Sequence, residues 1–489
     1  MPAVFSKFAG LAVFVWALAL PIAQADQQIS ITTTTYSSTW EGWGTSLAWW
    51  AKAYGDRDDL ADIVFTLDST YWEPGGATLP GLGMNIVRYN AGACSWNTIN
   101  GSVTMSASAN IPATKQIEGY WLDGLSTDPS SSSWNWTVDA KQRAMMLKAQ
   151  DRGANIFELF SNSPMWWQLS NHNPSGGVNG ASNFPSSQYK NHAIYLATIA
   201  KYAQDNWGIT FDSIEPFNEP SSTWWKSTGT QEGCYIDANA QKAIIPILHD
   251  QIKSRGLDRT TIAASDENAF QEAVDSWNTI GKTIQQANVG RMNTHGYSGS
   301  SGPRDTLQQL ARGIGQKVWD SEYGDNDGTG DTMVKNIMLD LRLLRPDAWV
   351  QWQVLDGSDW GLIAADISAR TLSNATTKYY NLAQFTRHIR PGMKLLETNS
   401  TNAVSAIDEN SHTLVIVAAN WDANTTFGFD LSGFSKVPVD GTKVSSWVTD
   451  GTGDKLYASV GGITIKGKSV STSLGDGAVQ TFEINGVYL

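Results

Sequence analysis

Ile214-Glu215-Pro216-Phe217-Asn218-Glu219-Pro220 and Trp319-Asp320-Ser321-Glu322-Tyr323-Gly324 each close an apolar, strand-like run on a glutamate. Glu219 and Glu322 are 103 residues apart (322 minus 219). A (β/α)8 barrel of roughly 250 residues uses about 31 residues per strand–helix unit, so the gap spans about three units. One glutamate is thereby placed on a strand three along from the other. Two carboxylates on one rigid scaffold are the minimum equipment for splitting a glycosidic bond, one as a protonated acid and the other as an anion.

Outward from these runs, strand-like stretches recur at 84–89, 155–160, 261–265, 289–295 and 349–354, and Gly42-Trp43-Gly44 marks a short first strand. Amphipathic stretches lie between them, near 189–205, 238–254, 269–286, 305–313, 331–344 and 377–388. Strand–helix alternation predicts parallel strands joined by crossovers. Eight such units predict an α/β fold, the (β/α)8 TIM barrel, with an open doubly wound sheet as the rival. After Arg390-Pro391-Gly392 the helical pattern stops, and short strand-like runs at 413–419, 426–431, 444–449 and 478–484 alternate with Gly, Asp and Asn. These predict a side β-sandwich domain. The β-prone run Ile29-Ser30-Ile31-Thr32-Thr33-Thr34-Thr35 is expected to pair with it across the chain. The expected domains are a leader at 1–25, an N-terminal sandwich strand at 26–38, the barrel at 39–390 and the sandwich at 391–489.

The leader reads as a secretory signal, with Lys7, an apolar run over 8–22 and Ala23-Gln24-Ala25 before the cut. Secretion makes Asn100, Asn135, Asn374, Asn399 and Asn424, all in Asn-x-Ser/Thr, possible glycan acceptors. With 41% hydrophobic and 17% charged residues the chain is globular, and its net charge of -13 repels nucleic acid and anionic membranes. A neutral extracellular polysaccharide suits that surface, and a monomer is expected. No Cys/His cluster has zinc spacing and no nucleotide-binding fingerprint occurs, so no cofactor or metal is indicated. Cys94 and Cys234 are the only cysteines. They follow the second and fourth strands, whose loops share one face of a barrel, so one disulfide is expected between them. Among the 22 tryptophans, those in loops after strands are the better sugar contacts: Trp166, Trp167, Trp224 and Trp352, but not Trp49, which reads as helical.

Barrel enzymes build their sites at the C-terminal ends of the strands. Arg88, Asn218, Glu219, His295, Tyr297, Glu322 and Trp352 all fall at or just after such ends. Seven polar or aromatic groups at five strand ends point to one shared pocket. Asn218-Glu219-Pro220 resembles the acid/base motif of the large clan of retaining barrel glycosidases. Gly42-Trp43-Gly44-Thr45-Ser46, Ser161-Asn162-Ser163-Pro164-Met165-Trp166-Trp167 and Val479-Gln480-Thr481-Phe482 resemble glycoside hydrolase family 30 in particular. Within that family the pattern is most similar to the fungal endo-β-1,6-galactanases. One departure is Met165, where many members carry a second proline.

The resemblance implies a secreted retaining endo-glycosidase acting on β-1,6-linked galactan side chains of arabinogalactan. By the same resemblance Glu219 is the general acid/base and Glu322 the nucleophile. Asn218 bonds the 2-hydroxyl of the reacting sugar, and Arg88 keeps the nucleophile ionised. His295 and Tyr297 are the strand-six pair whose tyrosine touches the nucleophile. Asn162, Trp167 and Trp352 line the sugar subsite.

Plainer readings stand beside these. Glu219, Glu322 and Arg88 could be structural ion-pair partners, and His295 a core histidine. Glu158 and Glu215 read as ion-pair partners in the barrel core, and Asp266 and Glu267 as candidate hydroxyl contacts. Trp224 and Trp225 could simply pack their loop. Two further functions stay open: a family 30 enzyme acting on β-1,6-glucan, xylan or glucosylceramide, and a carbohydrate-binding barrel without catalysis. The intact carboxylate pair argues against the second.

Overall fold

The computed structural model describes residues 25–36, 39–287 and 289–489. Apart from Ala25, the expected leader lies outside them. Eight strands close into a barrel: Gly42–Ser46, Ile86–Asn90, Ile156–Phe160, Ser213–Glu215, Thr261–Glu267, Val289–His295, Lys317–Tyr323 and Ala348–Gln351. Every neighbouring pair is parallel, and the ring shuts where Ala348 pairs with Gly42. Helices such as Tyr189–Tyr202, Ala238–Ser254 and Phe270–Gln286 cover the outside. The helix Ala238–Ser254 starts where Asp237 accepts from the amides of Asn239 and Ala240, both at 2.9 Å.

The second unit is a β-sandwich. The N-terminal strand Gln27–Thr35 runs antiparallel to Lys394–Thr398 and parallel to Thr425–Asp430, joining the two halves of a nine-stranded arrangement. The strand Thr413–Ala419 shows why its sequence is apolar throughout. Leu414, Ile416 and Ala418 enter the sandwich core, and Val415, Val417 and Ala419 on the other face pack onto the barrel's core. The sandwich therefore stands against the barrel wall.

Inside the barrel, charge replaces much of the usual apolar filling. Glu158 accepts from Arg88 Nε at 2.9 Å and Ser213 Oγ at 2.9 Å, and also pairs with Arg291. Glu158 thus has the structural role expected of it. Glu215 differs from its expected role, because among the described residues it makes no ion pair. Burial, reinforced by the charges of Asp266 and Glu158, raises its carboxyl well above the ordinary range, so it keeps its proton.

The expected disulfide is absent. Cys94 and Cys234 are free and buried. The two loops do meet, but a carboxylate joins them. Glu232 accepts from the amides of Ala93 (3.2 Å) and Ile117 (3.1 Å), from Asn90 Nδ2 (3.3 Å) and from the Cys94 thiol (3.1 Å). Cys234 instead donates to Asn183 Oδ1 at 3.4 Å. Each sulfur is thereby turned to a different polar partner.

Candidate active site

At the C-terminal face of the barrel lies a cleft of about 630 Å³ whose lining includes Glu219, Glu322, Asn162, Asn218, Tyr297 and Trp352. Glu219 follows the short fourth strand, and its backbone is left-handed with φ of 45°. Such a conformation is costly for a non-glycine residue and persists only when the surroundings over-determine it. Here they do. The Glu219 amide donates to Asp266 O at 2.8 Å on the neighbouring strand, and Trp225 Nε1 donates to Glu219 O at 2.8 Å. The side chain is held as firmly: Asn268 Nδ2 donates to Oε1 at 2.7 Å, His295 Nδ1 lies 3.3 Å from Oε1, and Trp224 Nε1 is 3.3 Å from Oε2.

Glu322 ends the seventh strand. Arg88 Nη1 donates to its Oε2 at 2.8 Å and the Tyr297 hydroxyl donates to its Oε1 at 3.0 Å. Burial is the largest influence on this carboxyl and raises it above its ordinary value, while the His295 and Arg88 cations pull it back. Arg88 is fully buried and also donates to Asp266 Oδ2 at 2.6 Å. Burial opposes ionisation of Asp266 as well, but Arg88 and His295 prevail and lower it to about 2. His295 Nε2 lies 3.2 Å from Asp266 Oδ2. Burial works against a charge on His295, yet Glu322 and Asp266 raise it well above its ordinary value, so the ring is an imidazolium. Burial, Glu322 and Glu219 all raise the Tyr297 phenol, so it remains a donor.

Oxygens of Glu219 and Glu322 and a ring nitrogen of His295 all lie within 4.8 Å of one another. A retaining pair has carboxyl groups about 5–5.5 Å apart and an inverting pair about 6.5–9.5 Å, which leaves room for a water. The observed spacing belongs to the first class. The same trio could admit a cation, but the Arg88 guanidinium and the charged His295 already supply positive charge there.

Two buried side-chain amide atoms of the cleft lining have no hydrogen-bond partner among the described residues: Asn162 Nδ2, a donor, and Asn218 Oδ1, an acceptor. Buried polar groups are ordinarily satisfied. A ligand rich in hydroxyls would complete both.

Of the residues singled out from sequence, the structure brings Arg88, Asn162, Asn218, Glu219, His295, Tyr297, Glu322 and Trp352 to one place. Arg88 and His295 stand behind the lining and act through the carboxylates. Trp167 is placed elsewhere. Its indole N–H donates to Trp121 O at 2.7 Å, and its ring packs edge-on against Trp121, outside the cleft lining. Trp166 is also buried, donating to Ser95 Oγ at 2.6 Å. Trp49, set aside as helical, lines the cleft instead and meets Trp352 edge-on at 5.1 Å. Its position just before the helix Trp50–Tyr54 is the signal that was available. Asp266 and Glu267 are buried and are not part of the cleft lining. Glu267 anchors the acid loop by accepting from Ser221 N (3.1 Å) and Ser221 Oγ (2.8 Å). Sequence reasoning also passed over Lys115, Asn268, Gln231 and Trp360 in the lining.

The sequence model of O-glycosyl hydrolase family 30 matches residues 26–302. The chain belongs to that family. This family 30 glycoside hydrolase is 50% identical over 467 residues to an endo-β-1,6-galactanase of Hypocrea rufa, covering 96% of each chain. It is 23% identical to an exo-β-1,6-galactobiohydrolase of Bifidobacterium longum subsp. longum, over 82% of this chain and 35% of that longer protein. The fold matches the catalytic domain of family 30 xylanase C from Talaromyces cellulolyticus with a TM-score of 0.68 at 20% identity, over 94% of this chain and 100% of the other. A conserved exported protein from Bacteroides fragilis matches with a TM-score of 0.73 at 19% identity over the same shares. Among the described residues no helix is long and apolar enough to cross a membrane.

Proposed function

We propose that this family 30 glycoside hydrolase is a secreted, monomeric endo-β-1,6-galactanase that works by double displacement. For galactose, the carrying observation is the 50% identity across 96% of both chains to an endo-β-1,6-galactanase. For the chemistry, support comes from the two glutamates with oxygens within 4.8 Å.

In the first step Glu322 attacks the anomeric carbon while Glu219 gives its proton to the departing glycosidic oxygen, leaving a glycosyl ester on Glu322. In the second, Glu219 takes a proton from water, the water oxygen bonds to the same carbon, and the ester breaks to restore the carboxylate. Arg88 and Tyr297, each donating to Glu322, favour the anion that attacks and later departs. Asn162 Nδ2 and Asn218 Oδ1 are offered to sugar hydroxyls, and Trp352 presents an apolar face for the C–H side of the ring. The groove also continues into a neighbouring cavity of about 280 Å³ past Trp49, Lys115, Asp356 and Gly357, which line both. Room beyond the reacting position suits cleavage within a chain.

The test is a panel of de-arabinosylated arabinogalactan, β-1,6-glucan and xylan with reducing-sugar detection, followed by NMR of the first products. Short β-1,6-galacto-oligosaccharides that appear first as the β-anomer are expected. Depolymerisation of β-1,6-glucan with no action on the galactan would defeat the substrate assignment and leave the mechanism standing.

A further inference from the structure

Trp224, of the tryptophan pair at 224 and 225, is absorbed neither by the core nor by the mechanism above. Trp225 is the buried member. Its ring lies against Gly233, where an added Cβ would come within 2.0 Å, and its backbone crowds Gly176, where a Cβ would come within 2.3 Å. Its indole N–H holds the Glu219 carbonyl. Trp224 is the exposed member, 46% accessible, and its ring lines the cleft. The two rings meet edge-on at 6.1 Å. Together they clasp Glu219, one at the backbone and one at the carboxylate.

The side of the carboxylate matters. Oε1 is occupied by Asn268 Nδ2 and His295 Nδ1. Oε2 has Trp224 Nε1 at 3.3 Å as its only hydrogen-bond partner among the described residues. Since an indole N–H only donates, Oε2 keeps a lone pair for a proton even with Trp224 in place. The proton that leaves with the sugar is therefore the one on Oε2, beside Trp224. A general acid must lie within hydrogen-bond reach of the oxygen it protonates, so the ring next to that acid flanks the leaving sugar. The barrel order agrees. Trp224 follows the fourth strand and Trp352 the eighth, which are diametrically opposed in a closed ring of eight. The reacting sugar faces Trp352 and the departing one faces Trp224.

We infer that Trp224 is the platform of the leaving-group subsite, taking the C–H face of a neutral hexopyranose, and that it decides whether the glycosyl-enzyme passes its sugar to water or to a second sugar. This rests on the galactanase reading above. In the transfer an acceptor hydroxyl oxygen bonds to the anomeric carbon, its proton passes to Glu219, and the ester to Glu322 breaks to give back the carboxylate. An acceptor stacked on Trp224 is held where the first leaving group stood, so it competes with water by proximity.

The experiment compares the wild-type enzyme with Trp224→Ala and Trp224→Phe on β-1,6-galactotriose, where a sugar departs, and on β-galactosyl fluoride, where none does. For Trp224→Ala, kcat/KM should fall at least about tenfold more on the trisaccharide than on the fluoride. Transfer products formed with added β-1,6-galactobiose should disappear. Trp224→Phe keeps a flat ring without the N–H and should retain transfer to within about threefold. Losses in Trp224→Phe as large as those in Trp224→Ala would show that Trp224 acts only by positioning Glu219 through its N–H and would overturn the inference, as would equal losses of Trp224→Ala on both substrates or undiminished transfer in that variant. Wild-type turnover of galactotriose tests the substrate reading. The ratio of losses is measured on whichever β-1,6-oligosaccharide and matching glycosyl fluoride the wild type accepts, so the two readings fail separately.

Discussion

Replacing Arg88 by methionine tests how the charged barrel interior supports the site. The guanidinium is fully buried and reaches three carboxylates, Glu158 at 2.9 Å, Asp266 at 2.6 Å and Glu322 at 2.8 Å. Arg88→Met keeps much of the stem's volume and removes the charge. Breaking a buried pair from one side costs about 3–5 kcal/mol, because the remaining charge is left uncompensated. A check comes from Asp266, held at about 2 against an ordinary 3.8. A fall of that size corresponds to about 2–3 kcal/mol of stability near neutral pH, and Arg88 is the largest favourable influence behind it. The barrel strands span Gly42 to Gln351, about 310 residues, so an unfolding entropy near 2.1 cal/mol/K per residue gives roughly 0.65 kcal/mol/K. The melting temperature should then drop by about 5–8 °C. Activity should fall further, because Glu322 loses a charge-assisted bond, and kcat/KM should drop by about a hundredfold or more. Thermal unfolding by circular dichroism and initial rates on β-1,6-galactan measure both. A variant that melts within about 2 °C of wild type and keeps a third of its activity would refute the account of Arg88.

Three further outcomes are expected. Glu322→Ala should abolish hydrolysis, whereas Glu219→Ala should lose polysaccharide but retain activated substrates that need no proton; azide should rescue the two with opposite product anomers, seen by NMR, and near wild-type rates in both would remove the assignment. Stability should peak near about pH 4–5. Burial raises Glu232, Glu267 and Asp139 each to about 7, so their contribution is complete below their ordinary values and is lost as pH climbs towards 7. His295, raised by Glu322 and Asp266 against its burial, adds stability that is full below about 6.5 and lost above it. Asp266, lowered to about 2, loses its contribution as pH falls from its ordinary value through 2. A melting temperature that is flat or rising from pH 5 to 8 would contradict this sign. Finally, Cys94 and Cys234 should both alkylate after denaturation without reductant and resist alkylation when folded; burial raises both thiols, and the Glu232 carboxylate beside Cys94 acts in the same direction. A peptide pair linked by a disulfide would restore the bridge.

Much of the architecture was legible because it is written locally. Alternation of strand-like and amphipathic runs depends on neighbours two to four residues away, and that spacing is carried in the chain itself. Hence the parallel barrel, the sandwich after Pro391, the pairing of residues 29–35 with it, and the placement of Glu219 and Glu322 at strand ends could all be read in advance. The run at 413–419 likewise read as a strand, while the covering of both its faces came from the structure.

What depended on the fold was which way a loop residue turns and what charge stands beside it. Trp167 and Trp49 exchange their expected places, because the loop carrying Trp121 takes one indole while the close of strand one delivers the other to the cleft. Glu232 fills the junction that a disulfide was expected to fill, and burial together with the charges of Asp266 and Glu158 keeps Glu215 protonated. The approach of Glu219 and Glu322 oxygens to within 4.8 Å, which fits a retaining pair, depends on backbone bonds such as Glu219 N to Asp266 O between segments nearly fifty residues apart. A sequence specifies periodicity through near neighbours, but distances and local fields arise from groups that are remote in the chain and meet only when the barrel closes.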